Sequence, residues 1–156
     1  MMSNERIKIP PFYFAGISIQ TTNSDNQFAS DLANLWQRFY QENIVSIVPE
    51  AAGSEIYAIY TDYESDYTGK YTALIGLRVN SLEQLPEKLT GRQFHGGNFI
   101  HYAAKGMMPQ AVINTWMQIW SADKQVNRQY DFDFEVYGNQ SNAGEESVVD
   151  IFISVK

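Results

Sequence analysis

Two kinds of hydrophobic pattern alternate along the chain. In several short stretches, aromatic and β-branched residues alternate with polar ones, which is typical of strands with one buried face. In two longer stretches, apolar residues recur at helical spacing, which predicts amphipathic helices. The predicted strands are 12–19, 55–63, 71–79, 98–105, 130–138 and 147–155. The predicted helices are about 25–41 and a second one that begins near Pro109, a residue suited to a first helical position.

The segments between these elements carry no clear periodicity. Residues 1–9 are expected to form a loose start, and residues 80–94 a bridge with a short helix or turns around Pro86. Residues 121–129 form a polar connection after the second helix. Within the first strand, Gly16 indicates a bulge or the close approach of another backbone.

The order strand, helix, strand, strand occurs twice, at an offset of about 76 to 80 residues. Trp36 in the first copy corresponds to Trp116 in the second, and Tyr60 corresponds to Tyr137. We therefore predict one domain over 1–156 built from two similar halves, at about 10–80 and 96–156. Each half alone has one sheet face and one helix, so the halves are expected to share a sheet or pack back to back. A ligand groove is expected at their junction.

The strand predicted at 130–138 has two different faces. Its apolar face, at positions 132, 134 and 136, is expected to lie against the helices. Asp133, Glu135 and Tyr137 form the opposite face. Such a face is either the ordinary outer face of a half-exposed sheet or the wall of a cavity. In a cavity, the two carboxylates favour a cationic or hydrogen-bond-donating ligand, and Tyr137 offers a π face.

One difference between the two copies singles out Glu135. The corresponding position of the first copy is Ala58. Because a structural repeat does not require a carboxylate there, Glu135 is the leading candidate for a functional residue.

The composition excludes several classes of function. With a net charge of -7 and no basic run, the chain lacks the clustered Lys and Arg that direct DNA or RNA binding requires. It has no Cys, which excludes disulfides, thiolate metal sites and a Cys nucleophile. No apolar run approaches the roughly 20 residues of a membrane span, and no signal-peptide pattern opens the chain. We therefore expect a cytoplasmic protein without membrane contact.

Motifs for metal or cofactor chemistry are incomplete. The loop at 62–66 begins like a calcium loop, but Tyr67 and Ala73 stand where that motif needs Gly and Glu. His95 and His101 are each expected to cap a loop or to lie on a strand face. We therefore expect neither a metal nor a cofactor.

Segments 56–67, 71–76 and 133–137 resemble the GyrI-like small-molecule-binding family. That family includes effector-binding domains of AraC-type and MerR-type multidrug regulators and stand-alone integron-associated effector-binding proteins. The resemblance extends over about 10–155, and the Phe-Glu-x-Tyr element at 134–137 is its most specific part. It implies an α+β fold of duplicated β-α-β-β modules with pseudo-twofold symmetry, antiparallel sheets, two main helices and a central cleft.

The resemblance also implies a function. The family's cleft takes lipophilic, often cationic compounds, and its late-strand glutamate corresponds to Glu135. Tyr137 matches the same motif, whereas Tyr60 and Trp116 are added from their positions, and Asp133 from its shared strand face. The regulators also carry a DNA-binding helix-turn-helix, and this chain starts at its first strand, so we expect a stand-alone binding protein.

Two other functions remain open. Some GyrI-like proteins hydrolyse reactive cyclopropane compounds, and Glu135 could act there as a general base. An acidic protein-interaction module could instead contact a basic partner such as gyrase, or a transcription regulator. Exposed edge strands could also pair in a homodimer.

Overall fold

The structure is a computed structural model that describes residues 5–24, 27–66, 68–122 and 127–156. Its strands are β1 (Glu5–Ile9), β2 (Phe12–Thr22), β3 (Ile56–Thr61), β4 (Lys70–Val79), β5 (Thr90–Phe94), β6 (Gly97–Lys105), β7 (Phe132–Tyr137) and β8 (Val148–Ser154). Its helices are α1 (Gln27–Gln41), α2 (Ile44–Ile47) and α3 (Gln110–Ser121). The α+β fold class is confirmed, and each predicted strand and helix is present with ends that differ by a few residues. Parts of the predicted segments at 1–4, 25–26, 67 and 123–126 lie outside the described residues.

The sheet order repeats the internal duplication. Across the sheet the strands run β1-β6-β8-β7-β3-β4-β2-β5, and every neighbouring pair is antiparallel. The first copy contributes β2, β3 and β4, and the second contributes the corresponding β6, β7 and β8. From one end of the sheet, the strands of the second copy follow in the order β6, β8, β7. From the other end, the corresponding strands of the first copy follow in the order β2, β4, β3. The pseudo-twofold axis passes between β3 and β7, where Ala58 lies directly opposite Glu135.

The chain connections require the sheet to curl. β1 lies at one end of the sheet and β2 next to the other end, yet only Pro10 and Pro11 separate them. His95 and Gly96 make the equivalent link between β5 and β6. Because two residues span only about 7 Å, the two ends of the sheet must approach each other. The links meet at Gly96, where an added Cβ would lie 2.2 Å from the carbonyl oxygen of Ile9.

We predict that Gly96→Ala destabilises the fold through this crossing. Gly96 has φ +80°, a left-handed conformation that costs an L-residue roughly 1–2 kcal/mol. Gly144→Ala is the matched control, because Gly144 has φ +63° but no atom within 4 Å of an added Cβ. Since overpacking costs about 1–3 kcal/mol, Gly96→Ala should lose at least about 1 kcal/mol more in urea unfolding. Equal losses would show that the crossing tolerates a methyl group.

The inside of the curled sheet is filled by aromatic side chains. The rings of Phe94 and Phe132 lie 4.6 Å apart although β5 and β7 are not neighbours in the sheet, so they meet across the interior. Positions 132, 134 and 136 of β7 all belong to this interior cluster, which contains no helical residue. The prediction that this face lies against helices is therefore wrong. The sheet encloses its own apolar face, and α1 and α3 cover the other face instead.

Two further predictions about irregular segments are wrong. In the segment expected to be a loose start, Glu5–Ile9 pairs with β6 as an edge strand, and within the predicted bridge Thr90–Phe94 pairs with β2. The expected close approach at Gly16 is confirmed, because an added Cβ would lie 2.1 Å from the carbonyl oxygen of Ile75. No helix in the described part of the chain is both long and apolar enough to cross a bilayer.

Candidate functional site

A cavity of about 1200 Å³ lies between the two long helices and the sheet face that carries Glu135. Its volume exceeds the roughly 300–1,000 Å³ of ordinary small-molecule pockets. The amphipathic stripes of α1 and α3 form its side walls, and β3, β4 and β7 form its floor. The main lining side chains of the walls and floor are Phe28, Leu32, Trp36, Tyr40, Ile56, Tyr60, Tyr71, Val112, Ile113, Trp116, Met117, Trp120, Glu135 and Tyr137.

Glu135 lies at the centre of the cavity floor and is only 2% exposed. Its Oε2 accepts a hydrogen bond from the Trp116 indole Nε1–H at 2.6 Å, and its Oε1 accepts one from the Tyr137 hydroxyl at 2.6 Å. The Tyr60 hydroxyl lies near the same carboxylate and contributes weakly to lowering its pKa. Each of these donors comes from an aromatic ring that also lines the cavity.

Burial governs the ionisation of this cluster. Removal from water raises the pKa of Glu135, and the hydrogen bonds from Tyr137, Trp116 and Tyr60 oppose that rise. Burial also raises the pKa of Tyr60 and of Tyr137 well above the ordinary tyrosine value, and the nearby Glu135 charge adds to both shifts. The two phenols therefore remain neutral donors when Glu135 is ionised.

The rings around Glu135 follow the pseudo-twofold axis. Trp116 meets Tyr60 edge-on, with ring centroids 5.7 Å apart and an interplanar angle of 87°. On the other side of the axis Trp36 meets Tyr137, with centroids 5.0 Å apart and an angle of 74°. These four rings are thus arranged nearly symmetrically about the axis, and the single carboxylate of Glu135 lies between them.

Glu135 and Arg128 are the charged residues of the described cavity lining, and they differ in how they are paired. Arg128 donates through Nη2 to the Asp133 carboxylate at 2.7 Å. No lysine or arginine in the described ranges forms an ion pair with Glu135. When Glu135 is ionised, the cavity therefore carries a negative charge that no described cation balances.

Asp133 occupies a different environment from Glu135, although both lie on β7. It is fully buried, and its carboxylate accepts hydrogen bonds from Arg128, the Tyr63 hydroxyl and the Ser154 backbone N–H. It is not a lining residue of the cavity. Of the five predicted ligand-binding residues, the structure brings four together around the cavity, and Asp133 is instead occupied by internal partners. Those four are Glu135, Tyr137, Tyr60 and Trp116.

The two histidines lie away from the cavity. His101 lies on β6, 2.7 Å from Asp150 and stacked on Phe152, and His95 lies in the link between β5 and β6. Neither lines the cavity. The carboxylate of Glu135 therefore lies among aromatic rings, and neither His95 nor His101 lies beside it.

Reasoning from the sequence missed most of the lining residues, and Trp36 and Arg128 are two informative examples. Trp36 was not among the predicted binding residues, although its correspondence with Trp116 in the second copy could have identified it. Arg128 lies in the polar connection 121–129, where no periodicity pointed to a buried residue, and its side chain is 1% exposed.

Asp62, the first residue of the calcium-like loop, forms two 3.0 Å contacts with the Arg92 guanidinium.

Comparisons with known proteins agree with this architecture. The profile of the family described as integron-associated effector binding protein matches residues 7–155. The Bacillus subtilis (strain 168) protein YobU is 25% identical over 146 residues, which cover 92% of this chain and 91% of YobU. An integron cassette protein from the mobile metagenome of Vibrio cholerae has a TM-score of 0.78 and 28% identity, with 99% of this chain and 97% of that one covered. A protein named SAV2435, solved bound to tetraphenylphosphonium, has a TM-score of 0.83 and 21% identity, with 99% and 94% covered.

Proposed function

Because the chain belongs to the family of integron-associated effector binding proteins, we propose that it binds lipophilic cationic small molecules in the cavity between α1 and α3. The apolar body of the ligand would lie between the two helices. Its positive charge would lie beside Glu135, among the rings of Tyr137, Tyr60 and Trp116.

The observation that carries this proposal is the buried carboxylate of Glu135. An ionised carboxylate away from water is costly unless a partner of opposite charge balances it. Glu135 has hydrogen-bond donors but no ion-pair partner among the described residues. A ligand cation would supply that missing charge, and its own loss of hydration would be offset within the low-dielectric cavity.

The surrounding rings favour the same class of ligand. Aromatic faces attract cations by roughly 0.5–2 kcal/mol each, and more strongly away from water. The apolar walls would bury the flat or branched hydrocarbon of the ligand, at about 25 cal/mol per Å² of apolar surface. The tetraphenylphosphonium ion bound to SAV2435 belongs to this chemical class and supports the choice of probe.

The proposal is tested by changing only the sign of the ligand charge. Tetraphenylphosphonium and tetraphenylborate share the same tetrahedral arrangement of four phenyl rings but carry opposite charges. We expect isothermal titration calorimetry to detect binding of the phosphonium ion in the cavity, with affinity for the borate at least about 100-fold weaker. Equal affinity for the two ions would contradict charge recognition, and no binding by the phosphonium ion would contradict the proposed function.

A further inference from the structure

The carboxylate of Glu135 is already engaged by the protein before any ligand arrives. Each of its oxygens accepts one short hydrogen bond of 2.6 Å, from Trp116 and from Tyr137. An ionised carboxylate offers about four acceptor positions. Two of these positions on Glu135 are therefore used internally, whereas its charge is not balanced by any described cation.

Cations differ in what they require from such a site. A protonated primary amine carries three N–H donors, and each one buried without an acceptor is unfavourable. A quaternary ammonium or phosphonium ion has no donor and needs only a nearby negative charge and apolar or aromatic contacts. The phenol oxygens of Tyr137 and Tyr60 also line the cavity, but they are neutral and weaker acceptors than a carboxylate.

We propose that Trp116 and Tyr137 determine the specificity of the cavity for cations that lack N–H donors over protonated amines of similar shape. By each donating to one oxygen of Glu135, they leave its charge available but reduce the number of positions open to an N–H donor of a ligand. This inference rests on the proposed function, because it concerns which cations the same site accepts.

The test uses two cations built on one ring system, (naphthalen-1-ylmethyl)trimethylammonium and naphthalen-1-ylmethylammonium. Both are positively charged at neutral pH. The neutral hydrocarbons 1-neopentylnaphthalene and 1-ethylnaphthalene have the shapes of the two ions, and the difference between their affinities measures the contribution of the added methyl groups. We expect the quaternary ion to bind about 10- to 100-fold more tightly than the primary ion, after that contribution is subtracted.

Tyr137→Phe separates specificity from a merely structural role. It removes the hydroxyl donor and keeps the ring, so Glu135 regains an acceptor position and the preference for the quaternary ion should fall several-fold. Tyr13→Phe is the matched control, because Tyr13 lies on β2, is 38% exposed and does not line the cavity. The preference of this control variant for the quaternary ion over the primary ion should equal that of the wild type.

The outcomes separate the two proposals. If tetraphenylphosphonium binds but the primary ion binds as tightly as the quaternary one, the proposed function stands and the specificity inference is overturned. An unchanged preference in Tyr137→Phe, or no binding by the quaternary ion, overturns it as well. If neither tetraphenylphosphonium nor the naphthyl cations bind, the proposed function itself fails.

Discussion

Glu135→Gln is expected to weaken the binding of tetraphenylphosphonium by about 30- to 3000-fold in Kd. This range corresponds to the roughly 2–5 kcal/mol that is lost when one member of a buried charge pair is removed. The substitution keeps the shape of the side chain and one acceptor oxygen but removes the negative charge on the cavity floor. A neutral ligand such as triphenylphosphine oxide should lose much less affinity, because it gains little from that charge.

Glu146→Gln is the matched control for this experiment. Glu146 is exposed and does not line the cavity, so its substitution changes the net charge of the protein by the same amount. Phosphonium affinity should be unchanged in this variant. A similar loss in both variants would show that the overall acidity of the protein attracts the cation. A similar loss of neutral and cationic ligands in Glu135→Gln would show that the side chain acts through packing.

The same residue predicts a pH dependence of binding. Burial raises the pKa of Glu135 above its ordinary value of 4.5, and a bound cation favours the ionised form. Phosphonium affinity should therefore fall as the pH decreases through this raised pKa, starting at a higher pH than for an exposed glutamate. Binding at lower pH should release protons, which calorimetry in buffers of different ionisation enthalpy detects. Glu135→Gln should remove this pH dependence.

The second large effect is expected for Asp133→Asn, which should lower the free energy of unfolding by about 3–5 kcal/mol. The ion pair between Arg128 and Asp133 is enclosed, with side-chain exposures of 1% and 0%. Removing the carboxylate charge takes away the anion that lies 2.7 Å from the enclosed Arg128 guanidinium. It also weakens the acceptor for Tyr63 and for the Ser154 backbone N–H.

Asp62→Asn provides the comparison, because Asp62 forms an equivalent contact with Arg92 at the protein surface. Both oxygens of Asp62 lie 3.0 Å from the Arg92 guanidinium, but the side chain of Asp62 is 49% exposed. Exposed ion pairs contribute only about 0–1 kcal/mol. Urea unfolding of the two variants should therefore differ by several kcal/mol. A loss for Asp133→Asn no larger than that for Asp62→Asn would mean that water reaches the Arg128 cluster.

The long elements of the fold were predictable because their own residues specify them. Alternation identified β3, β4, β7 and β8, and the two amphipathic stripes identified α1 and α3. β1 and β5 were not predictable in this way, because each is short and polar and depends on pairing with a strand distant in sequence. The sequence also could not say which face of β7 the helices cover, since both faces of the curled sheet are buried.

Comparison of the two copies made part of the site predictable. The contrast between Ala58 and Glu135 pointed to the one unpaired carboxylate of the described cavity lining, and the aromatic positions of the motif pointed to its neighbours. Asp133 has the same chemical type and lies on the same strand, but its role depends on Arg128. That arginine is brought beside it by the bridge between residues 128 and 155, a contact that no local pattern reveals.

The position of Glu135 on the pseudo-twofold axis bears on how such a protein can evolve. A homodimer of identical modules would carry the same residue twice at this point, either two alanines or two facing carboxylates. Two carboxylates directly opposite on paired strands would lie only about 5 Å apart at Cβ, and their repulsion would drive one to take up a proton. Once two modules are joined in one gene, each copy mutates independently, and a single acid can occupy the centre. Gene fusion thus permits a lone negative charge at a position where subunit symmetry would forbid it.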